Sequence, residues 1–279
     1  MDDVYVAARG VLLDALEALG PHLNAVTLVG AQAVYLRVGD ADIAVAPATT
    51  DGDLALNPEG LHAAPPLEQL MRGAGFERKR GFDGKPLVGI WARTVDVATG
   101  AQVTVDLLMP EAVASAAGRR AARLEGHENG TVLKVPGLES ALVDADVMQI
   151  AALDGSDERH FDVRVAGPAA LLVAKVRKIV DREEYPSRLK DKDALDVFRL
   201  LRGTPTEDMA RRCSLVLSDS RSVESARGAL AALPALFAQA GGGGVQMAVR
   251  ATGGLMAEAE VTASLTALAK DLSAKLTLT

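Results

Sequence analysis

The sequence predicts an α/β (α+β) protein, with a mixed sheet and flanking helices over residues 1–165 and a C-terminal helical domain over 166–279. Three observations carry that expectation. Short runs of strand character alternate with helical periodicity up to about residue 165. Beyond residue 167, GPAALLVAKVRKIV, KDALDVFRLLRG and SVESARGALAALPALFAQA all have the spacing of helices. Hydrophobic residues make up 49% of the chain and aromatics only 3%, so the core must be aliphatic, built from Leu, Val and Ala.

Taken in order, Val4, Ala8, Val11, Leu12, Ala15, Leu16 and Leu19 recur at three- and four-residue spacings, which predicts a helix over 4–19. Asp2 or Asp3 is placed to cap it, and Gly20-Pro21 to stop it. VTLV at 26–29 reads as a short buried strand, Gly30-Ala31 as a small-residue turn, and AQAVYLRV as a helix leaving it. A loop over 39–50 leads to a strand, DLAL, at 53–56. The run 65–76 reads as a helix with Pro in its first turn and Gly at its end. LVGIWART, AQVTVDLLM, TVLKVP and FDVRV are strand candidates, and Asp83-Gly84 reads as a hairpin turn. In the helical half, Pro234 should kink or divide its helix, GGGG at 241–244 should act as a flexible linker, and a last helix is expected over about 256–275.

Several function classes fall away on composition. A single cysteine, Cys213, excludes an intrachain disulfide framework, and its place in MARRCSLVL favours a buried structural thiol. No basic segment precedes an apolar one, and no apolar run approaches the roughly 20 residues that span a bilayer, so a cytoplasmic protein without membrane contact is expected. The net charge of −7 argues against indiscriminate nucleic-acid binding, though not against a local basic groove. His22, His62, His127 and His160 share no metal-ligand spacing, and no nucleophile-elbow sequence supports a hydrolase triad.

The segment LVGAQAVYLRVGDADIAVAPATTDGDLAL carries the chemistry. It runs strand, Gly turn, helix, loop, and then Asp-x-Asp opening a strand. Residues two apart on a strand face the same side, so Asp51 and Asp53 point together with Cα atoms roughly 6–7 Å apart. Like charges held so closely are costly without a cation, and an all-oxygen set suits Mg²⁺ or Mn²⁺. Asp106, in the alternating strand VTVDLLM, becomes the third ligand if that strand neighbours DLAL. Such a cluster can hold two cations about 3.5–4 Å apart for in-line phosphoryl displacement, with Asp106 also placed to deprotonate an attacking hydroxyl. Backbone N–H groups after Gly30 offer a site for triphosphate oxygens. Alone, an Asp-x-Asp is more often a solvated turn or a strand cap. The turn before it and the strand acid after it set this one apart.

The order hG-x-x-A, T-x-D-x-D and a later strand Asp resembles the nucleotidyltransferase superfamily, and within it the AbiEii/MenT-type toxins. LVGAQAVYL (28–36), TTDGDLAL (49–56), PAALLVAKVRKI (168–179) and RLKDKDALDVFRLL (188–201) occur in that family's order and cover about residues 25–205. The resemblance implies a nucleotidyltransferase-type mixed sheet. It makes Lys175 the nucleotide-binding lysine, and Asp193 and Asp196 the late acidic motif that orients Lys175 or the metal-bound nucleotide. The plainer alternative is a surface salt-bridge ladder among Lys190, Lys192, Asp193 and Asp196. This chain departs from the family at Ala31, where Gly or Ser is usual. Thr50 could supply a hydroxyl in its stead, while Thr49 more simply serves the loop backbone.

Transfer of an NMP from an NTP to an acceptor hydroxyl follows from the resemblance, as do a tRNA 3′ end as acceptor, the role of toxin and a cognate antitoxin protein as partner. Arg78, Lys79, Arg80 and Lys85 flank one hairpin; Arg119, Arg120 and Arg123 form a second group. Lys175, Arg177, Lys178, Arg182, Arg188, Lys190, Lys192, Arg199 and Arg202 lie in the helical half. Lined up in one groove they would grip an RNA backbone. Two rivals stay open: a small-molecule (antibiotic) nucleotidyltransferase, which needs a compact acidic acceptor pocket, and a catalytically silent partner-binding relative, which needs no metal-dependent NTP binding.

Overall fold

The computed structural model describes residues 3–39, 41–46, 48–115, 120–183 and 189–277. Asp2, Arg119 and Arg188, named above, lie outside them. Two compact units emerge: Met1–Gln32, Pro47–Pro136 and Asp146–Val165 form one, and Ala33–Ala46, Gly137–Ala145 and Ala166–Thr279 the other.

The first unit is built on a mixed sheet. Helix α1 (Asp3–Ala18) forms as its periodicity requires, burying Ala8, Val11, Leu12, Ala15 and Leu16 along one stripe. Gly20-Pro21 ends it in a 3-10 turn over Gly20–Ala25. Strand β1 (Val26–Val29) is buried on both faces. It runs straight into α2 (Gly30–Val38), and β2 (Asp51–Leu56) returns antiparallel beside β1. Helix α3 (Leu67–Gly73) follows, then β3 (Glu77–Arg80), β4 (Pro86–Asp96), β5 (Ala101–Pro110), β6 (Leu133–Val135), β7 (Ala145–Ala151) and β8 (His160–Ala166). The strand order is β3-β4-β5-β2-β1-β8-β7, with β6 pairing β5. β5 runs parallel to β2, and β8 parallel to β1. β2, which carries Asp51 and Asp53, is therefore the central strand, with β5 and β1 on either side.

β7 has no counterpart in the sequence reading. It lies at the sheet edge and alternates exposed and half-exposed residues, with Ile150 its one buried position, so no two-residue apolar period marks it. β3 guards the opposite edge with Glu77, Arg78, Lys79 and Arg80, charges that keep an open edge from pairing with another chain. The expected turn closes β3–β4: Gly81 N–H donates to the Lys85 carbonyl at 2.9 Å, and Gly84 takes φ +73°.

The second unit is helical: α4 (Pro168–Val180), α5 (Asp191–Gly203), α6 (Thr206–Ser218), α7 (Val223–Phe237), α8 (Gly243–Ala251) and α9 (Glu258–Thr277). Asp144 caps α4 from a distant segment, accepting the Ala170 N–H at 3.0 Å, and pairs with Arg212 at 2.6 Å. Cys213 is buried, and burial pushes its thiol up to about 12, with Asp144 adding to the effect. That is the structural thiol the sequence suggests.

Two expectations are corrected here. Pro234 does not divide α7. The helix runs on through it to Phe237: proline removes its own bond to the Leu230 carbonyl, but its carbonyl still accepts the Ala238 N–H at 3.0 Å. GGGG is no flexible linker either. Gly243 and Gly244 open α8, and a Cβ on Gly244 would overlap the Phe237 ring, so this glycine permits close packing. Among the described residues no helix is long and apolar enough to cross a membrane.

Three histidines distant in sequence meet in the first unit. The His22 ring lies 6.0 Å from His62 and 5.9 Å from His127, centroid to centroid. The His127 Nδ1 accepts the Leu67 N–H at 3.1 Å while Nε2 donates to the His62 carbonyl at 3.0 Å. That pattern requires a neutral ring. Burial depresses its pKa below the ordinary value, against the His62 carbonyl and Glu68. The stability His127 contributes is therefore complete above about pH 6.5, the unfolded value. It is lost as pH falls below that value, because the unfolded chain takes up the proton first. Between about pH 7 and about pH 5, the Tm should fall further for the wild type than for His127→Asn, whose Oδ1 still accepts from Leu67 but does not titrate. Parallel Tm curves for the two chains would rule this out.

Candidate active site

The register of the sheet gathers the three acids of the motif. Asp53 on β2 stands directly opposite Asp106 on β5, and Asp51 opposite Thr104. All three carboxylates are half-buried. Alternation puts Asp51, Asp53 and Asp106 on one face of the sheet, while Gly52 points to the other. There a Cβ on Gly52 would meet the Leu12 side chain of α1 at 3.1 Å, so α1 backs the motif from behind. Neighbouring strands lie about 4.8 Å apart. Two carboxylates at about 5 Å repel by about 3 kcal/mol at an effective dielectric near 20. Among the described residues no three His, Cys, Asp or Glu side chains, these acids included, are grouped closely enough to hold a metal ion.

Gly30 explains how β1, α2 and β2 meet. It takes φ +72°, and a Cβ built on it would fall within the Asp53 carboxylate. Glycine is thus required twice, for the backbone conformation and for the space that Asp53 occupies. Ala31 is buried. The hydroxyl that meets an acid belongs to Thr49, which is buried and donates to Asp51 Oδ1. Thr50 is exposed and contributes its carbonyl to the Thr104 N–H at 3.3 Å. The sequence reading gave Thr49 the lesser part. Its hydroxyl sits two residues before the acid it touches, a common local pattern with no signature of its own.

Gln32 is a further residue that sequence reasoning missed. Its amide donates to the Asp51 carbonyl at 3.1 Å and to the Ala8 carbonyl at 3.4 Å. Its oxygen accepts from Arg9 Nε at 2.9 Å. Arg9 is itself buried, and reaches the Ala151 carbonyl at 3.0 Å and the Tyr5 hydroxyl at 3.1 Å. Burial lowers the Arg9 pKa and raises that of Tyr5. A buried guanidinium on neutral acceptors thus anchors the start of β2 from behind. An Arg within an apolar helix stripe was the only sign of it in the sequence.

Lys175, Asp193 and Asp196 come together within the second unit. Lys175 Nζ lies 2.6 Å from Asp196 Oδ2 and 3.2 Å from Asp193 Oδ1, and all three side chains are buried. Lys178 and Arg182 each approach Asp193 at 3.4 Å, and Arg199 approaches Asp196 at 3.6 Å. Arg199 also lies over the Tyr35 ring at 5.2 Å. Burial alone would raise the Asp193 carboxyl; Lys175, Lys178 and Arg182 outweigh it and hold the pKa below the ordinary range. The surface ladder is therefore not what forms: at 1% exposure each, Asp193 and Asp196 turn inward from α5 to α4 rather than outward to Lys190 and Lys192.

No family model and no curated protein matches the chain. Among solved structures, that of a candidate nucleotidyltransferase from H. pylori aligns over 100% of this chain and 98% of that one, with 12% sequence identity and a TM-score of 0.33. A similarity of that depth leaves the functional reading to the chain's own residues.

Two outcomes follow from this geometry. Gly30→Ala should cost about 1–3 kcal/mol, from the strained φ and the displaced Asp53 carboxylate. In the double variant with Asp53→Ala the two costs should not add, the cycle returning a coupling of about 1 kcal/mol or more. Additive values in urea denaturation would show that Gly30 does not seat Asp53. Lys175→Met should destabilise the chain by about 3–5 kcal/mol, since it leaves two buried aspartates without their shared ammonium. An unchanged urea midpoint would mean that the network carries no stability.

Proposed function

We propose that the chain is a metal-dependent nucleotidyltransferase that moves an NMP from an NTP to an acceptor hydroxyl. The observation that carries this reading is the register of Asp53 with Asp106, with Asp51 two residues away on the same sheet face. The donor set fits the implied cation: three carboxylates and a hydroxyl are hard oxygen ligands, which suit Mg²⁺ or Mn²⁺ rather than zinc or copper. Such cations would neutralise the acids and the triphosphate together.

Asp51 and Asp53 would hold the cation on the triphosphate, and the fixed β2 backbone keeps their spacing. Thr49 orients Asp51, and the Gln32 clamp fixes the carbonyl of the same residue. Asp106, side by side with Asp53, is placed to accept the proton of the acceptor hydroxyl. The hydroxyl oxygen then bonds to the α-phosphorus, the α–β bridging bond breaks, and pyrophosphate leaves. Backbone N–H groups in the first turn of α2 would favour phosphate oxygens. Following the family resemblance, we take a tRNA 3′ end as the acceptor, growth inhibition as the outcome and a cognate antitoxin as the partner.

Purified protein incubated with Mg²⁺, each labelled NTP and total tRNA should transfer label to tRNA from at least one NTP. Asp53→Ala should reduce the transfer by on the order of 100-fold or more while remaining folded. Label entering tRNA equally with both chains would overturn the assignment of the acids. No label with any NTP would overturn the tRNA acceptor, and absence of Mg²⁺-dependent NTP binding would overturn the transferase itself.

A further inference from the structure

We propose that the β3–β4 hairpin is a docking surface for single-stranded nucleic acid, in which Phe82 offers a stacking platform and the surrounding cations hold phosphates. The chain has few aromatic residues, and it sets one of them at the tip of a hairpin. Phe82 is fully exposed, at 115%. It stands between Arg80 and Lys85, and residues 77–86 carry four cations (Arg78, Lys79, Arg80, Lys85) against two anions (Glu77, Asp83) within a chain of net charge −7.

The tip is held in shape. Gly81 N–H bonds the Lys85 carbonyl at 2.9 Å, Gly84 N–H bonds the Gly81 carbonyl at 2.9 Å, and Asp83 Oδ1 accepts the Lys85 N–H at 3.1 Å. Arg80 donates to the Gly84 carbonyl at 2.8 Å, which sets its guanidinium beside the turn with further N–H groups to spare. At the foot of the hairpin a cavity of about 440 Å³ is lined by Arg72, Arg78 and Arg80, with Phe76, Glu77 and Glu128. Arg72 pairs there with Glu128 at 2.6 Å and Arg78 approaches the same carboxylate at 4.0 Å, so Glu128 is shared by two of the three guanidiniums.

An exposed aromatic among cations fits an unstacked base and its phosphates, since every base offers a π-face and every linkage a charge. A membrane surface suits the tip less well. Among the described residues the other exposed large hydrophobics near this strand pair, Val95 and Val97, lie at the opposite end of β4, so Phe82 has no second fully exposed large hydrophobic beside it. A duplex suits it no better, because its bases are already stacked. The surface also bears on the acceptor. Ile90 pairs with Asp106, and Pro86, at the hairpin end of β4, lies four residues and about 13 Å further along. A single strand of a few nucleotides can bridge that distance.

The test is fluorescence anisotropy of a short labelled single-stranded RNA with the full chain, at low salt and over a salt series. Phe82→Ala, a change at a fully exposed position, should weaken binding roughly 5- to 100-fold. Arg80→Ala should reduce the slope of log affinity against log salt by about 0.7. A duplex of the same sequence should bind wild type and Phe82→Ala alike. Equal affinity of the two chains for the single strand would overturn the proposal, as would Phe82-dependent binding to anionic vesicles but not to RNA. Asp53→Ala separates this inference from the transferase reading: it should bind the RNA as wild type does. Phe82-dependent RNA binding by a wild-type chain that shows no Mg²⁺-dependent NTP binding would sink the transferase and leave the hairpin's role standing.

Discussion

The acidic face rests on what Gly30 lacks. A β1–α2 turn with φ +72° reverses the chain at the end of a fully buried strand, and the position a Cβ would fill is taken by the Asp53 carboxylate. Because β2 can approach so closely, it settles antiparallel to β1 with Val29 opposite Asp53. That register presents its other edge to β5 with Asp53 beside Asp106. A one-residue slip would turn all the β2 side chains over, sending Asp51 and Asp53 into the α1 layer and Gly52 outward. The burial of Leu54 and Leu56 forbids the slip, and so the aliphatic half of β2 fixes the position of its acidic half.

Buried charge is handled in two different ways. Arg9 is satisfied by an amide, a carbonyl and a phenol, none of them an anion, so its positive charge persists behind the Asp-x-Asp strand. Lys175 is enclosed by two carboxylates, themselves approached by Lys178, Arg182 and Arg199. A buried ion pair stabilises little relative to apolar packing, but loss of one partner strands the others. It follows that any loss of activity in a Lys175 variant must be compared with its loss of stability. Asp53, by contrast, is only half-buried.

Much of this was legible in the sequence, for local reasons. The α1 stripe, the VTLV strand, the Gly turn and the alternating β5 each carry their own period, and the sheet needed only to bring them together. The hydrogen-bonded neighbours of β2 were not legible, because pairing is a non-local choice. β7 was missed because an edge strand with one buried residue has no apolar alternation to read. The glycines of GGGG misled, and the polar face of α5 left two readings open, for a related reason. Composition suggests flexibility or solvent, whereas Gly244 is small so that Phe237 can pack, and Asp193 and Asp196 turn inward because Lys175 on α4 meets them. In each case a partner distant in sequence decides the role.

The departure at Ala31 yields to the same logic. The resemblance leads one to expect a small or hydroxylated residue after the turn glycine, available to phosphate. Here that position is buried at 4% exposure, where a hydroxyl would need a partner that an aliphatic core does not supply. The hydroxyl at the acidic face comes instead from Thr49, on the approach to β2, and it binds Asp51 directly. Moving the hydroxyl from the turn to the strand entry changes its task. A turn serine could touch a phosphate, whereas Thr49 fixes the Asp51 carboxylate. Orientation of the acid is thus built into the strand that carries it.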